Sequence, residues 1–266
     1  MLEIFQYDFM VRAFIAGIIV GIIAPLIGIF LVVRRYSLMA DTLAHVSLVG
    51  IAGGIIMNIN PVVGALMSSI AAAIGMEYLR ESKKVFSDSI LAIFLSGSLA
   101  TAIMLISLNG GLNVNIFGYL FGSITTVSSG DLFIISLFGF LAIFIVITFY
   151  KSFFLISYDE ELAKVSGLSV KQLGIVLTVL AAITVSLAMR VVGVLLVGAL
   201  MVIPVIAAIQ FKKGFFKTTL LALVCSLLSV IGGLFISYYL NLPSGGSIVL
   251  VALLIFFISL FVNKSV

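Results

Sequence analysis

Charge is what this chain has least of. Only 9% of its 266 residues are Asp, Glu, Lys or Arg and 63% are hydrophobic, whereas a soluble domain carries about a quarter charged residues. That scarcity excludes a water-soluble globule. Cysteine is nearly absent: Cys225, inside "LLALVCSLLSV", leaves no disulfide framework and no CxxC metal pair, and it reads as a small core residue. Histidine is limited to His45, and no HExxH occurs, so a nucleophile–base pair for an enzyme within the membrane cannot be assembled. Neither GxxxxGK[ST] nor GxGxxG is present, so any nucleotide chemistry belongs to another chain. The opening "MLEIFQYD" holds Glu3 and Asp8 but no Lys or Arg. It lacks the positive region of a secretory signal, and the first apolar segment is expected to stay in the mature protein.

What fills the chain instead is apolar sequence in runs long enough to cross a bilayer of about 30 Å, which takes roughly 20 helical residues. Hydropathy predicts an all-α integral membrane protein, a polytopic bundle of about nine transmembrane helices with eight as the alternative count. The spans fall near 9–33, 36–57, 61–79, 88–108, 131–150, 172–189, 191–211, 216–240 and 246–262. Breakers mark the joins: "NINP", "NGG" and "NLPSGG". Asp88 and Asp131, at span starts, read as helix N-caps. The whole chain, 1–266, reads as a single transmembrane domain.

The net charge of +4 does not point to nucleic acid, because the positions of the charges mark topology. With the N-terminus outside, Arg34, Arg35, Arg80, Lys83, Lys84, Lys151, Lys164, Lys171, Lys212, Lys213, Lys217 and Lys264 fall on one side, 12 of the 14 basic residues. The positive-inside rule makes that side cytoplasmic, giving an N-out, C-in orientation. Only Arg12 and Arg190 lie near the other face, and Arg190, between the sixth and seventh spans, reads as an interfacial anchor or a contact for an acidic external partner. Glu77 can snorkel inward beside Arg80 and is given no role.

Two connections exceed a turn. The external one, 109–130, contains "VNIFGYLFGSITTV", too short to cross twice and apolar enough to re-enter the membrane or lie in its interface. The internal one, 151–171, contains "SYDEELAKVSGLS". Ser157 as N-cap, Asp159, Glu160 and Glu161 in a first turn, and Gly167 at the end predict a short helix along the cytoplasmic surface. It is either a solvated connector or a docking segment for a cytoplasmic engine.

In "ADTLAHVSLVG" the second span carries Asp41 and His45 four residues apart, on one helical face, with Ser37 one turn earlier. A central Asp costs about 2.5 to 3.5 kcal/mol to insert, and such residues mark ion or substrate pathways by default. Carboxylate and neutral imidazole are ligands for Zn²⁺ and other first-row divalent ions. Two copies meeting on this face would surround one ion with two aspartates and two histidines. The alternative is a satisfied polar pair in which Asp41 caps a helix that begins later. Gly17/Gly21 and Gly50/Gly54 have the GxxxG spacing of close helix packing, so the second span is expected inside the bundle or at a subunit interface.

Five stretches carry a resemblance: "VVRRYSLMADTLAHVSLVG", "GYLFGSITTVSSGDL", "SYDEELAKVSGL", "MRVVGVLLVGALMVIPVIAA" and "LPSGGSIVLV". Together they span nearly the whole chain, which resembles the membrane permeases of bacterial ABC importers for zinc and manganese. The resemblance implies a multi-pass protein of the bacterial plasma (inner) membrane, present as a homodimer, that is not itself an enzyme. Its implied partners are a cytoplasmic ABC ATPase, which holds the ATP, and an extracellular or periplasmic metal-binding protein. No permanent cofactor is implied; the cargo is Zn²⁺, with Mn²⁺ or iron as alternatives and an ATP-independent secondary transporter as the other reading. Asp41 and His45 match the pair that faces the metal pathway. Asp159, Glu160, Glu161, Ala163, Gly167 and Leu168 match the segment coupled to the ATPase, although the loop departs from the fuller signature of other ABC importers. The form "DTLAHVSLVG" is closer to the zinc branch than to the manganese branch, where an "SHAVLPG"-like run is expected.

Overall fold

A computed structural model describes residues 2–82, 86–108, 116–125 and 127–263 and, among them, contains helices and turns but no strand. Among the described residues eight helices are long and apolar enough to cross a membrane: α1 (Asp8–Val33), α2 (Ser37–Ile56), α3 (Pro61–Glu81), α4 (Ser87–Leu108), α6 (Ser129–Tyr158), α8 (Val170–Ala188), α10 (Phe215–Leu240) and α11 (Ser244–Asn263). Three are shorter: α5 (Ile116–Phe121), α7 (Glu160–Val165) and the apolar α9 (Val197–Ile209).

Cross-links sort the connections into two ends. At one, the Tyr7 and Tyr238 rings lie 6.3 Å apart, Asn60 and Arg190 both reach Asp131, and Ser244 Oγ donates to the Val191 carbonyl at 2.6 Å. At the other, Arg34 meets Glu160, Lys171 meets Glu81 at 2.6 Å, and the Phe154 ring sits 4.5 Å from that of Phe215. By length and composition eight of these helices can span, the alternative count, and the expected seventh span is represented only by the shorter α9.

The expected seventh span, 191–211, is helical only from Val197. Its first residues are a run of turns that pairs backbone to backbone with α5: the N–H of Val194 donates to Tyr119 at 2.9 Å and that of Leu195 to Leu120 at 3.2 Å. Gly193 (φ 87°) and Gly122 (φ 74°) face each other there, in a conformation that suits glycine. Irregular backbone at such a place is tolerated because protein surrounds it and meets its polar groups. Hydropathy registers only that these residues are apolar. Of the expected re-entrant connection, 109–115 and Thr126 lie outside the described residues; the rest supplies α5 and this seam.

Two boundary readings change. Asp131 is the third residue of α6, where its carboxylate accepts from the Ser128 backbone N–H while Ser128 Oγ accepts from that of Asp131, a reciprocal capping box rather than an Asp cap. Asp88 lies within the first turn of α4, after Ser87. α6 also runs on to Tyr158, with non-helical geometry at Phe149, so the first eight residues of the expected 151–171 connection are helix.

α1, α2 and α8 form the interior. Over their most apolar windows 78%, 67% and 67% of residues are buried, against 22% for α4, which exposes Ile93, Ile103 and Met104, and 22% for α6, which exposes Phe133, Phe140, Phe144 and Ile147. Cys225 is buried and unpaired, as a small core residue should be. In lipid no hydrophobic force drives helices together, so close contact between small residues carries the packing. α2 and α3 touch at Gly50 and Gly64, where a Cβ on either would collide with the other's carbonyl oxygen. The second glycine pair of the sequence thus joins helices within the chain. Gly50→Ala should destabilise the protein by about 1 to 3 kcal/mol through overpacking of backbone that cannot yield. Gly97→Ala, with no atom within 4 Å of its added methyl, should leave thermal unfolding in detergent unchanged.

Candidate functional site

α2 begins at Ser37, directly after the tight α1–α2 turn in which Arg35 takes a φ of 61°. Asp41 is therefore inside the helix, one turn from its start, and caps nothing. Its carboxylate packs on Gly198, where even a methyl group would collide with Oδ1. Gly198 lies in the first turn of α9, where N–H groups lack partners within the helix and the helix dipole favours negative charge. No side chain caps that end. The sequence contained this glycine within "MRVVGVLLVGALMVIPVIAA", but only the fold brings it to Asp41.

His45 Nδ1 lies 2.8 Å from the backbone carbonyl of Asp41. A carbonyl oxygen only accepts, so Nδ1 carries the proton. In the neutral ring Nε2 then keeps its lone pair, the tautomer in which imidazole binds metal. The pair is not satisfied internally, since the histidine bonds to the backbone of Asp41 and leaves the carboxylate free of it.

Burial along α2 gives the pair its direction. Between Met39 and Gly54 every residue is buried except Asp41, His45, Val49 and Gly53. These lie four apart, on one inclined ridge of the helix. The same spacing reaches the partly buried Ser37 at one end and Met57, 72% exposed, just past the other. The only ionisable groups of α2 thus stand on its only open stripe. No third His, Cys, Asp or Glu joins them among the described residues. One chain offers an ion two ligands here.

The acidic segment splits into three roles. Asp159, not Ser157, caps α7: its Oδ1 accepts from the N–H groups of Glu161 and Leu162, both at 2.9 Å. Ser157 is buried in the last turn of α6. Glu160 turns inward to Arg34 at 2.5 Å and Arg80 at 3.0 Å. Ala163 is wholly buried, and Gly167 (φ 80°) ends the helix as its N–H donates to Lys164 and that of Leu168 donates to Ala163. Glu161, Leu162, Lys164 and Val165 are left as the exposed face, while Leu168 is half-buried.

Behind Glu160 sits a cluster that sequence reading missed. Glu77 is 1% exposed and accepts from Arg80 at 2.5 Å, with Arg34 at 3.8 Å. Both guanidinium groups lie over the Tyr36 ring, at 5.2 and 5.6 Å. Gly174 of α8 makes room for the Glu77 carboxylate. The signal was weak: an acid and an arginine three residues apart in an apolar helix look like an ordinary snorkelling pair. At the opposite end Arg190 pairs with Asp131 at 3.2 Å and covers the Tyr119 ring at 4.5 Å. Its acidic partner is within the chain.

Comparison with known proteins adds an independent line. The ABC 3 transport family matches residues 6–263. The manganese transport system membrane protein MntC of Listeria monocytogenes is 35% identical over 254 residues, 96% of this chain and 90% of its own length. The high-affinity zinc uptake system membrane protein ZnuB of Haemophilus influenzae is 29% identical over 256 residues, 96% of this chain and 98% of its own. Among solved structures, PsaBC from Streptococcus pneumoniae, in complex with Fab, superposes with a TM-score of 0.86 at 32% identity, covering 97% of this chain and 92% of that one.

Two outcomes follow from the charge clusters. Asp131 is 1% exposed, so Arg190→Met should cost about 3 to 5 kcal/mol by leaving a buried carboxylate without its cation, measured by thermal unfolding in detergent. Burial alone would raise the Glu160 pKa, but hydrogen bonds and charge from Arg34 and Arg80 outweigh it and hold the pKa below its ordinary 4.5. A carboxyl depressed in the folded state stabilises above its unfolded pKa and loses that contribution as pH falls through the folded value. Hydrogen-exchange protection of the α7 amides should stay level from neutral pH down to 4.5 and decline only in stronger acid.

Proposed function

The chain belongs to the ABC 3 transport family, and from that premise we propose that it forms the zinc pathway of an ATP-driven importer. At the coarser level it is a metal-transport permease, a multi-pass protein of the bacterial inner membrane. The observation that supports the finer reading is the open stripe of α2, on which Asp41 and His45 are the only ionisable groups. A carboxylate and an imidazole exposed to lipid would be costly. A second copy laid against the stripe removes that cost and supplies a second carboxylate and a second imidazole. Two nitrogen and two oxygen ligands suit the four-coordinate preference of zinc, whereas manganese favours more oxygen ligands in octahedral array. The relatives divide between manganese and zinc, so the ligand set and the "DTLAHVSLVG" form favour zinc. One chain's pair alone falls short of the four ligands that close a structural zinc site, so the ion is held weakly unless both copies meet it, as a permeation route requires.

The end rich in Lys and Arg faces the cytoplasm by the positive-inside rule. There α7 presents Glu161, Leu162, Lys164 and Val165 to a cytoplasmic ATPase, while Asp159, Ala163, Gly167 and Leu168 shape that helix. An external binding protein delivers the metal at the opposite end. ATP binding and hydrolysis in the partner rock the helices, and metal passes from the outer face across Asp41 and His45 to the inner one. The whole chain works as one permease domain.

The experiment is uptake of radiolabelled zinc and manganese into vesicles holding the chain with its ATPase and binding protein. Asp41→Ala and His45→Ala should each lower zinc uptake at least tenfold with the complex still assembled. Uptake unchanged in both would remove the pair from the pathway, a preference for manganese would reassign the cargo, and uptake without ATP would replace the pump by a secondary transporter.

A further inference from the structure

The docking helix and the metal-pair helix lie far apart in sequence, yet a short chain of charged contacts joins them. Glu160 opens α7. Its carboxylate holds Arg34, at the C-cap of α1, and Arg80, in the last turn of α3. Arg34 is also the first residue of the turn into α2, and Asp41 follows seven residues later, within two helical turns. Tyr36, in that turn, lies beneath both guanidinium groups. Glu77 draws the two arginines together from below. The Arg34 side chain is 4% exposed and that of Glu77 1%, so neither is an ordinary solvated surface charge.

The geometry of this cluster restricts how α7 can move. A displaced α7 must either carry Arg34 with it or strand a buried guanidinium beside Glu77, and the second is strongly unfavourable. The first moves the α1–α2 turn and, because a helix is stiff along its axis, the start of α2 with it. Asp41 would then shift relative to Gly198 on α9, against which its carboxylate is packed without spare room.

We propose that Arg34 is a positioning residue for transport: its contacts with Glu160 and Glu77 lock α7 to the α1–α2 turn, so that displacement of α7 by the ATPase becomes displacement of Asp41. This rests on the functional reading above. Arg34, its side chain 4% exposed, acts through α2.

The test is the number of zinc ions taken up per ATP hydrolysed, in vesicles carrying the full chain with its ATPase and binding protein. Arg34→Gln keeps length and polarity but loses the charge, and Arg34→Lys keeps the charge. Arg34→Gln is expected to lower the ratio at least tenfold while hydrolysis continues, and Arg34→Lys to retain at least half of it. Glu77→Gln, which removes the charge that draws the arginines together, should also lower the ratio. A purely structural role would instead reduce uptake and hydrolysis together, in step with lost assembly and lower thermal stability, and that pattern would overturn the proposal. So would an unchanged ratio in Arg34→Gln. If Arg34→Gln does not assemble, Glu77→Gln against wild type decides by the same criterion. Wild-type vesicles without ATP-driven uptake would overturn the functional reading and this inference with it, whereas coupled wild type with equally coupled variants overturns this inference alone.

Discussion

A charge removed from water must find an opposite charge, and in a chain this apolar that requirement organises both ends of the bundle. Glu77 is almost wholly enclosed, and Arg34, Arg80 and Glu160 converge on it from α1, α3 and α7. Asp131 is enclosed at the other end, and its carboxylate is met by Arg190, Asn60 and the backbone N–H of Ser128. Each cluster fastens segments that a purely apolar bundle would leave free to slide, because dispersion between Leu, Ile and Phe side chains is nearly indifferent to register. The ion pairs are weak evidence for stability in themselves, but breaking one leaves an uncompensated charge.

Between the two clusters the packing is set by small residues. Gly50 and Gly64 bring α2 and α3 into backbone contact, and Gly198 brings α9 onto Asp41. Both contacts fix α2, the helix that carries the ionisable pair. They bury it on every side but one, and the side left open is the ridge that bears Asp41 and His45. Two polar residues thus lie in a setting that is rigid behind and partly open in front, as the proposed ion site requires.

The irregular run before α9 belongs to the same arrangement. A continuous helix from 191 would have no interruption at which an N-terminus could meet Asp41. The turns at 190–196, sealed by backbone hydrogen bonds to α5, place the first turn of α9 in the interior instead of at the surface. Orphan N–H groups and the positive end of the helix dipole then lie beside a carboxylate.

Composition and periodicity were enough to determine an all-helical membrane protein, the places where most spans begin and end, the asymmetry of basic residues, and the pairing of Asp41 with His45 on one face. These follow from local rules: apolar length, charge asymmetry and a repeat of 3.6 residues. The tertiary structure decided that Asp41 lies inside its helix, that Gly198 is its neighbour, that Glu160 turns inward while Glu161 faces out, and that Glu77 is a buried hub and not a snorkelling surface acid. It also decided that hydrophobic residues 191–196 form turns. Each of these depends on contacts between segments remote in sequence, and hydropathy averages over neighbours in the chain, so it records how apolar a residue is and nothing of what it meets.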